Sequence, residues 1–210
     1  SLQKTGHLAD VWKNKFFISL IPLAFLNYGG IQAIQTLWAG PWMLNVSGYT
    51  PLQSATGLFW INITMLIAYF VWGYILPKII DYGISSIKLI KIGLPVSYLV
   101  FFLIIYIGKN AGTSMFALYI LTSIVISLTQ PAVALNFPKA LAGKSLTSLN
   151  VFLFSGTFFM QWGIGLIIDF CISKNFDILT SYRISFFVFL ILCILSYLFF
   201  IYRFLICLVN

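Results

Sequence analysis

Residues 16–40 read FFISLIPLAFLNYGGIQAIQTLWAG, without one charged side chain. A run of that length and apolarity meets the roughly 20 residues an α-helix needs to cross a bilayer. It is not uniformly apolar: from Tyr28 to Trp42 the chain reads YGGIQAIQTLWAGPW, with two amides and a phenol at helical spacing. Tyr28, Gln32 and Gln35 fall within about 60° of one another on a helical wheel, with Thr36 at the margin. Each is costly to place in hydrocarbon unless it meets a partner or water. This face is therefore expected to line a solute path, with the rest of the chain building a wall around it.

Five more apolar runs follow, at about residues 52–76, 87–107, 114–136, 146–170 and 182–208. Of the 210 residues 61% are hydrophobic and 8% charged, and mean hydropathy is +1.02, whereas soluble domains run near a quarter charged. Continuous Leu, Ile and Phe without period-two alternation argue against an outer-membrane barrel and for an all-α membrane protein with six transmembrane helices over residues 16–208. The net charge of +8 does not form a nucleic-acid patch, because the basic residues lie between apolar runs. With the N-terminus inside, Lys4, Lys13, Lys15, Lys78, Lys88, Lys91, Lys139, Lys144 and Arg203 fall on the inner side, against Lys109, Lys174 and Arg183 outside. Cytoplasmic segments hold the excess of Lys and Arg, so both termini are expected in the cytoplasm.

The residues of catalysis are sparse. There is no Glu, His7 is the lone histidine, and Cys171, Cys193 and Cys207 lie in or beside apolar runs without metal spacing. No metal, cofactor or enzymatic activity is expected. Ser155-Gly156 lacks the nucleophile-elbow pattern and a base, and Gly143-Lys144-Ser145 lacks the first glycine of a phosphate loop. Asn45-Val46-Ser47 fits the short glycosylation pattern. Asp10, Asp81, Asp169 and Asp177 all lie outside the middle of any span, so no buried proton relay is visible. Trp12, Trp38, Trp42, Trp72, Tyr74 and Tyr82 flank span ends and are expected as interfacial anchors.

The six segments differ in kind. The first and fourth are polar on one face, the fourth through Tyr119, Thr122, Ser123, Ser127, Thr129 and Gln130 before Pro131. The second and fifth mix glycines with Asn62, Tyr69, Asn150, Thr157 and Gln161, and small residues permit close helix contact. The third and sixth are nearly pure hydrocarbon and are expected to face lipid. This order, repeated twice with the second triplet entering from the opposite side, fits two inverted three-helix repeats. Interhelical hydrogen bonding is the alternative account of the polar faces, above all in the fifth segment.

The loop Gly73-Tyr-Ile-Leu-Pro-Lys-Ile-Ile-Asp81-Tyr-Gly83, followed by Lys88 and Lys91, resembles the loop signature of the major facilitator superfamily. Gln35-Thr-Leu-Trp-Ala-Gly-Pro-Trp42, Asn136-Phe-Pro138, Ser148-Leu-Asn150 and Gln161-Trp-Gly-Ile-Gly165-Leu-Ile-Ile-Asp169 are, in their order, similar to the C-terminal half of bacterial members of that family. The resemblance implies helices seven to twelve of a twelve-helix transporter in a bacterial inner membrane, with residues 1–15 ending the cytoplasmic linker. It implies that the first and fourth segments line the cavity, the second and fifth meet an N-terminal six-helix half through Asn62, Asn150, Thr157 and Gln161, and Gly73, Asp81 and Gly83 form a gating loop. The partners are then the bilayer, a small solute and that N-terminal half.

The expected function is secondary active or facilitated transport of a small solute by alternating access. Tyr28, Gln32, Gln35, Tyr119, Ser123 and Gln130 would contact the solute, while Pro22, Gly29, Gly30 and Pro131 would let helices bend. These groups are uncharged, which favours a neutral solute or charge recognition by the other half. The alternative is the six-helix membrane module of an ATP-driven pump or another oligomeric membrane assembly, although the loop at residues 77–86 is short for receiving an ATPase.

Overall fold

The computed structural model describes residues 7–209, with side chains through 205. Lys4, the first part of the 1–15 segment and the Cys207 side chain lie outside the described residues. Among those described there are seven helices and no strand: α1 (Leu8–Lys13), α2 (Lys15–Asn45), α3 (Pro51–Asp81), α4 (Ser86–Asn110), α5 (Thr113–Asn136), α6 (Lys139–Ser173) and α7 (Ile178–Val209). Helices α2 to α7 are each long and apolar enough to cross a membrane.

The helices outrun the apolar segments because side-chain apolarity marks only the part in hydrocarbon, whereas backbone hydrogen bonding continues until a cap ends it. α3 starts in a reciprocal cap, Gln53 N–H donating to Thr50 Oγ1 (3.3 Å) and Thr50 N–H to Gln53 Oε1 (2.9 Å). It ends where Gly83 turns left-handed (φ 82°), with Gly83 N–H on Ile80 O (2.8 Å) and Ile84 N–H on Ile79 O (3.2 Å). Ser85 then caps α4 by accepting from Lys88 N–H (3.3 Å). The α6–α7 connection repeats this device. Asn175 is left-handed (φ 63°), Asn175 N–H reaches Ile172 O (2.9 Å), Phe176 N–H reaches Cys171 O (3.1 Å), and Asp177 caps α7.

α2 and α5 form the centre. In its most apolar window α2 is 61% buried and α5 56%, against 39% for α4 and α7, 22% for α6 and 6% for α3. α2 packs on α6 and α7, α5 packs on α3 and α4, α4 meets α7, and α6 lies along α7. The polarity order thus picks out the two central helices but not the outermost one. α4 and α7 each bury a face that includes Phe101 and Phe186, whereas α3 leaves Phe59, Trp60, Ile67 and Phe70 exposed. Side-chain polarity registers what a residue tolerates, and a helix with few neighbours in this chain need not be the most apolar one.

Two contacts fix the centre. At the α2–α6 crossing a Cβ on Gly29 would collide with the backbone of Gly156, and one on Gly156 with the carbonyl of Phe25, so the two helices touch main chain to main chain. A Cβ on Gly30 would meet the ring of Phe189. These glycines are close-packing positions. Toward the opposite end Trp42, expected as an interfacial anchor, is fully buried: it stacks on Phe186 (4.9 Å between centroids) and donates its indole N–H to Ala111 O (3.0 Å). Its position near a span end is interfacial, but the neighbouring helix ends close over it. Arg183 donates Nε to Ile105 O (2.9 Å) and Nη2 to Tyr106 O (2.8 Å), neutralising the carbonyl end of α4.

Because successive spans alternate in direction, their connections fall at two ends. Among the described residues one end carries Lys13, Lys15, Lys78, Lys88, Lys91, Lys139, Lys144 and Arg203 with Asp10 and Asp81, and the other carries Lys109, Lys174 and Arg183 with Asp169 and Asp177.

Candidate functional site

Both central helices depart from regular α geometry where their polar residues gather. α2 widens into π-helical turns at Ala24–Tyr28 and Ile34–Trp38, which carry Asn27 with Tyr28 and Gln35 with Thr36. Such turns are frequent at functional sites because they re-aim side chains out of the i, i+4 register. α5 tightens into a 3₁₀ stretch at Ile124–Leu128 and then holds Pro131, whose nitrogen cannot donate to the Ser127 carbonyl.

The first of these π-helical turns and the irregular part of α5 meet at an open cleft of about 440 Å³. Tyr28 comes from α2, Tyr69, Trp72, Gly73 and Leu76 from α3, and Ser127, Leu128, Gln130 and Pro131 from α5. Gln32, which does not itself line the cleft, donates Nε2 to the Tyr28 hydroxyl (3.4 Å). Tyr28, Gln32 and Gln130 are all half-buried, and no lining residue is charged. The cleft can offer hydroxyl and amide hydrogen bonds and flat aromatic surface, the chemistry of an uncharged polar solute.

Beyond the cleft the polar face of α2 continues between α3 and α6. Gln35 is buried and donates Nε2 to Asn62 Oδ1 (2.8 Å), while Asn62 Nδ2 donates to Leu58 O (2.7 Å). Gln35 Oε1 meets no donor. Thr36 Oγ1 accepts from Gln161 Nε2 (2.9 Å), and Trp38 Nε1 donates to Gln161 O (3.0 Å). Asn62 and Gln161 therefore bond to α2, and Asn62 stays exposed at the open edge. Thr157 donates to Leu153 O (3.0 Å) within α6 beside the Gly29–Gly156 crossing, and Asn150 is half-buried one turn earlier than Phe154.

Tyr119 and Ser123 lie elsewhere. They are buried and face a small space of about 10 Å³ shared with Asn27, Ser97, Tyr98 and Cys193, room for about one water. A hydrogen-bond clasp borders it: Tyr98 donates to Asn27 Oδ1 (2.7 Å), and Asn27 Nδ2 donates to Ser196 Oγ (2.9 Å) and Leu23 O (3.2 Å). Ser196 Oγ in turn donates to Cys193 O (2.7 Å). The clasp ties α2, α4 and α7 together. The expected solute residues are thus split, with Tyr28 and Gln130 at the cleft, Gln32 behind them on the Tyr28 hydroxyl, Gln35 buried against α3, and Tyr119 and Ser123 in the packed core.

Tyr69 and Trp72 were not among the expected solute contacts. Their spacing with Gly73 and Leu76, at i, i+3, i+4 and i+7, places them on one face, which is the available sequence signal. Of the loop residues, Gly73 lines the cleft, Asp81 is the exposed last residue of α3, and Gly83 makes its left-handed cap. Among the described residues no three His, Cys, Asp or Glu side chains gather as a metal site would require.

Six helices long and apolar enough to span, the two most buried of them irregular, make this chain an integral, multi-pass membrane protein. No family model, curated protein or solved structure matches it.

Proposed function

We propose that the chain is one six-helix half of an alternating-access solute carrier, with the α2–α3–α5 cleft as its share of the solute site. The observation that carries this reading is the cleft itself. It brings Tyr28 of one central helix together with Ser127 and Gln130 of the other, on a side where α3 has little cover from its own chain. Exposed Asn62 and the amide of Gln161 border that side, and such groups are poorly matched to lipid and well matched to a second protein half or a wet path.

Two further features support an inverted repeat of three helices. Exchanging α2 with α5, α3 with α6 and α4 with α7 preserves the α2–α6 and α5–α3 contacts, the α2–α7 and α5–α4 contacts, and the α4–α7 contact. Only the α6–α7 packing lacks a comparably extensive α3–α4 counterpart. The same exchange relates the Gly83-Ile84-Ser85 connection to Asn175-Phe176-Asp177, each a left-handed residue, an apolar residue and a helix cap. The excess of Lys and Arg at the end bearing the N-terminus supports a cytoplasmic placement of both termini. Membership of the major facilitator superfamily rests on the sequence resemblance together with this exchange.

The test is uptake of a panel of labelled uncharged solutes into vesicles. Chain co-expressed with a complementary N-terminal half is expected to accumulate one of them, and Tyr28→Phe with Gln130→Ala to reduce that uptake about tenfold, as expected for two lost hydrogen bonds. Robust uptake by this chain alone would overturn the half-carrier reading, and uptake unchanged by the double substitution would overturn the cleft.

A further inference from the structure

A second concavity lies at the strongly basic end, away from the cleft. It is a groove of about 770 Å³ between α1 and the first turns of α6, lined by Trp12, Lys139, Gly143, Lys144, Thr147 and Val151 among others. α1 is held beside it by Val11, which is fully buried, and by the Trp12 ring edge-on to Phe152 at 5.7 Å between centroids. Among the described residues no acidic side chain lines the groove. Its two lysines stand just before the apolar run that begins near residue 146, and Thr147 and the 60%-exposed Val151 continue the same wall into that run. Lys144 to Val151 rises about 10 Å along the helix, the step from the polar interface into hydrocarbon.

We infer that this groove seats an anionic glycerophospholipid. The phosphate lies over Gly143 between Lys139 and Lys144, the glycerol esters lie against Thr147, and an acyl chain descends past Val151. The order along α6 is that of the ligand: cationic, then hydroxyl, then apolar. Trp12, 43% exposed on the facing helix, supplies the aromatic wall that suits the ester level of a bilayer. The charge of the whole end, eight basic side chains against two acidic among the described residues, draws in a phosphodiester and not a cation. The groove is open at Gly143, where an added Cβ would meet nothing within 4 Å.

The test uses the full chain in neutral detergent, offered equal amounts of phosphatidylglycerol and phosphatidylcholine and read by native mass spectrometry. One phosphatidylglycerol is expected to be retained over phosphatidylcholine by on the order of tenfold. Lys139→Gln is expected to lower its retention about fivefold. Gly143→Leu, which fills the groove and keeps both lysines, is expected to abolish that preference, and Lys109→Gln at the opposite end to leave it intact. Equal retention of the two lipids would overturn the proposal. So would a preference that survives Gly143→Leu, since charge alone would then account for it, or displacement of the lipid by millimolar inorganic phosphate, since the site would then be a bare anion site.

Discussion

Replacing Gly156 by alanine tests whether the α2–α6 crossing sets the position of the site. The new methyl would strike the carbonyl oxygen of Phe25, with the carbonyl carbon 2.9 Å and the Cα 3.0 Å away. Carbon atoms in contact sit about 3.5–4.0 Å apart, so the helices must separate by on the order of 1 Å. Main-chain atoms cannot turn aside as a side chain would. Overpacking of this kind costs about 1–3 kcal/mol, partly offset by the roughly 1 kcal/mol by which alanine is preferred to glycine inside a helix. Gly163→Ala on the same helix is the control, because a Cβ there meets open space and only the helix preference remains. The two variants should therefore differ by about 1–3 kcal/mol, or roughly 2–12 °C in midpoint at about 2–4 °C per kcal/mol. Circular dichroism during heating in detergent measures this. A Gly156→Ala protein that melts at or above Gly163→Ala would refute the crossing. Because Phe25 belongs to the same π-helical turn as Tyr28, the displaced helix is also expected to carry Tyr28 out of the cleft.

The Asn27 clasp should behave as a unit. Asn27→Leu is expected to cost about 1 kcal/mol, the sum of two interhelical hydrogen bonds at about 0.6 kcal/mol each, because the Tyr98 hydroxyl keeps the Cys193 carbonyl (3.3 Å) as acceptor, and Tyr98→Phe is expected to cost little more once Asn27 is gone. Additive losses in the double variant would show that the two groups do not act through one another. At the α7 cap, Asp177 accepts from the Thr180 hydroxyl (2.6 Å) and the Thr180 N–H (3.0 Å), and these bonds hold its carboxyl below the usual aspartate range. A lowered folded-state value means that the unfolded chain binds the proton first. The cap's contribution is therefore present above the ordinary aspartate value near pH 4 and lost as pH falls through the depressed one. Melting midpoints followed downward from pH 6 should drop more steeply for the wild type than for Asp177→Asn, and parallel curves would contradict this.

Span number and the identity of the central helices were legible because both depend on local chemistry: long uncharged runs, and amides that hydrocarbon penalises. Gln32, Gln35, Ser127 and Gln130 marked α2 and α5 for that reason. What escaped depends on which helix lies opposite. Tyr98 and Ser196 sit in the most apolar segments and look like incidental polar groups, yet they meet Asn27. The hint was Asn27 itself, an amide about 100° away from Tyr28 on the wheel and so in need of a different partner. Trp42 had the position of an anchor and the environment of a core residue, which only the approach of α5 and α7 decides. The six-residue α1 carries too short a pattern to announce a helix, and the groove beside it was invisible with it.

Thiol labelling tests the open cleft most directly. In cysteine-free chain expressed in membranes of the source cell, Gln130→Cys and Tyr69→Cys are expected to react with a membrane-impermeant maleimide. Ser123→Cys, on the buried side of the same central helix, is expected to stay unreactive. Labelling of Ser123→Cys, or silence at both Gln130→Cys and Tyr69→Cys, would contradict the assignment of the α2–α3–α5 cleft as the solute path.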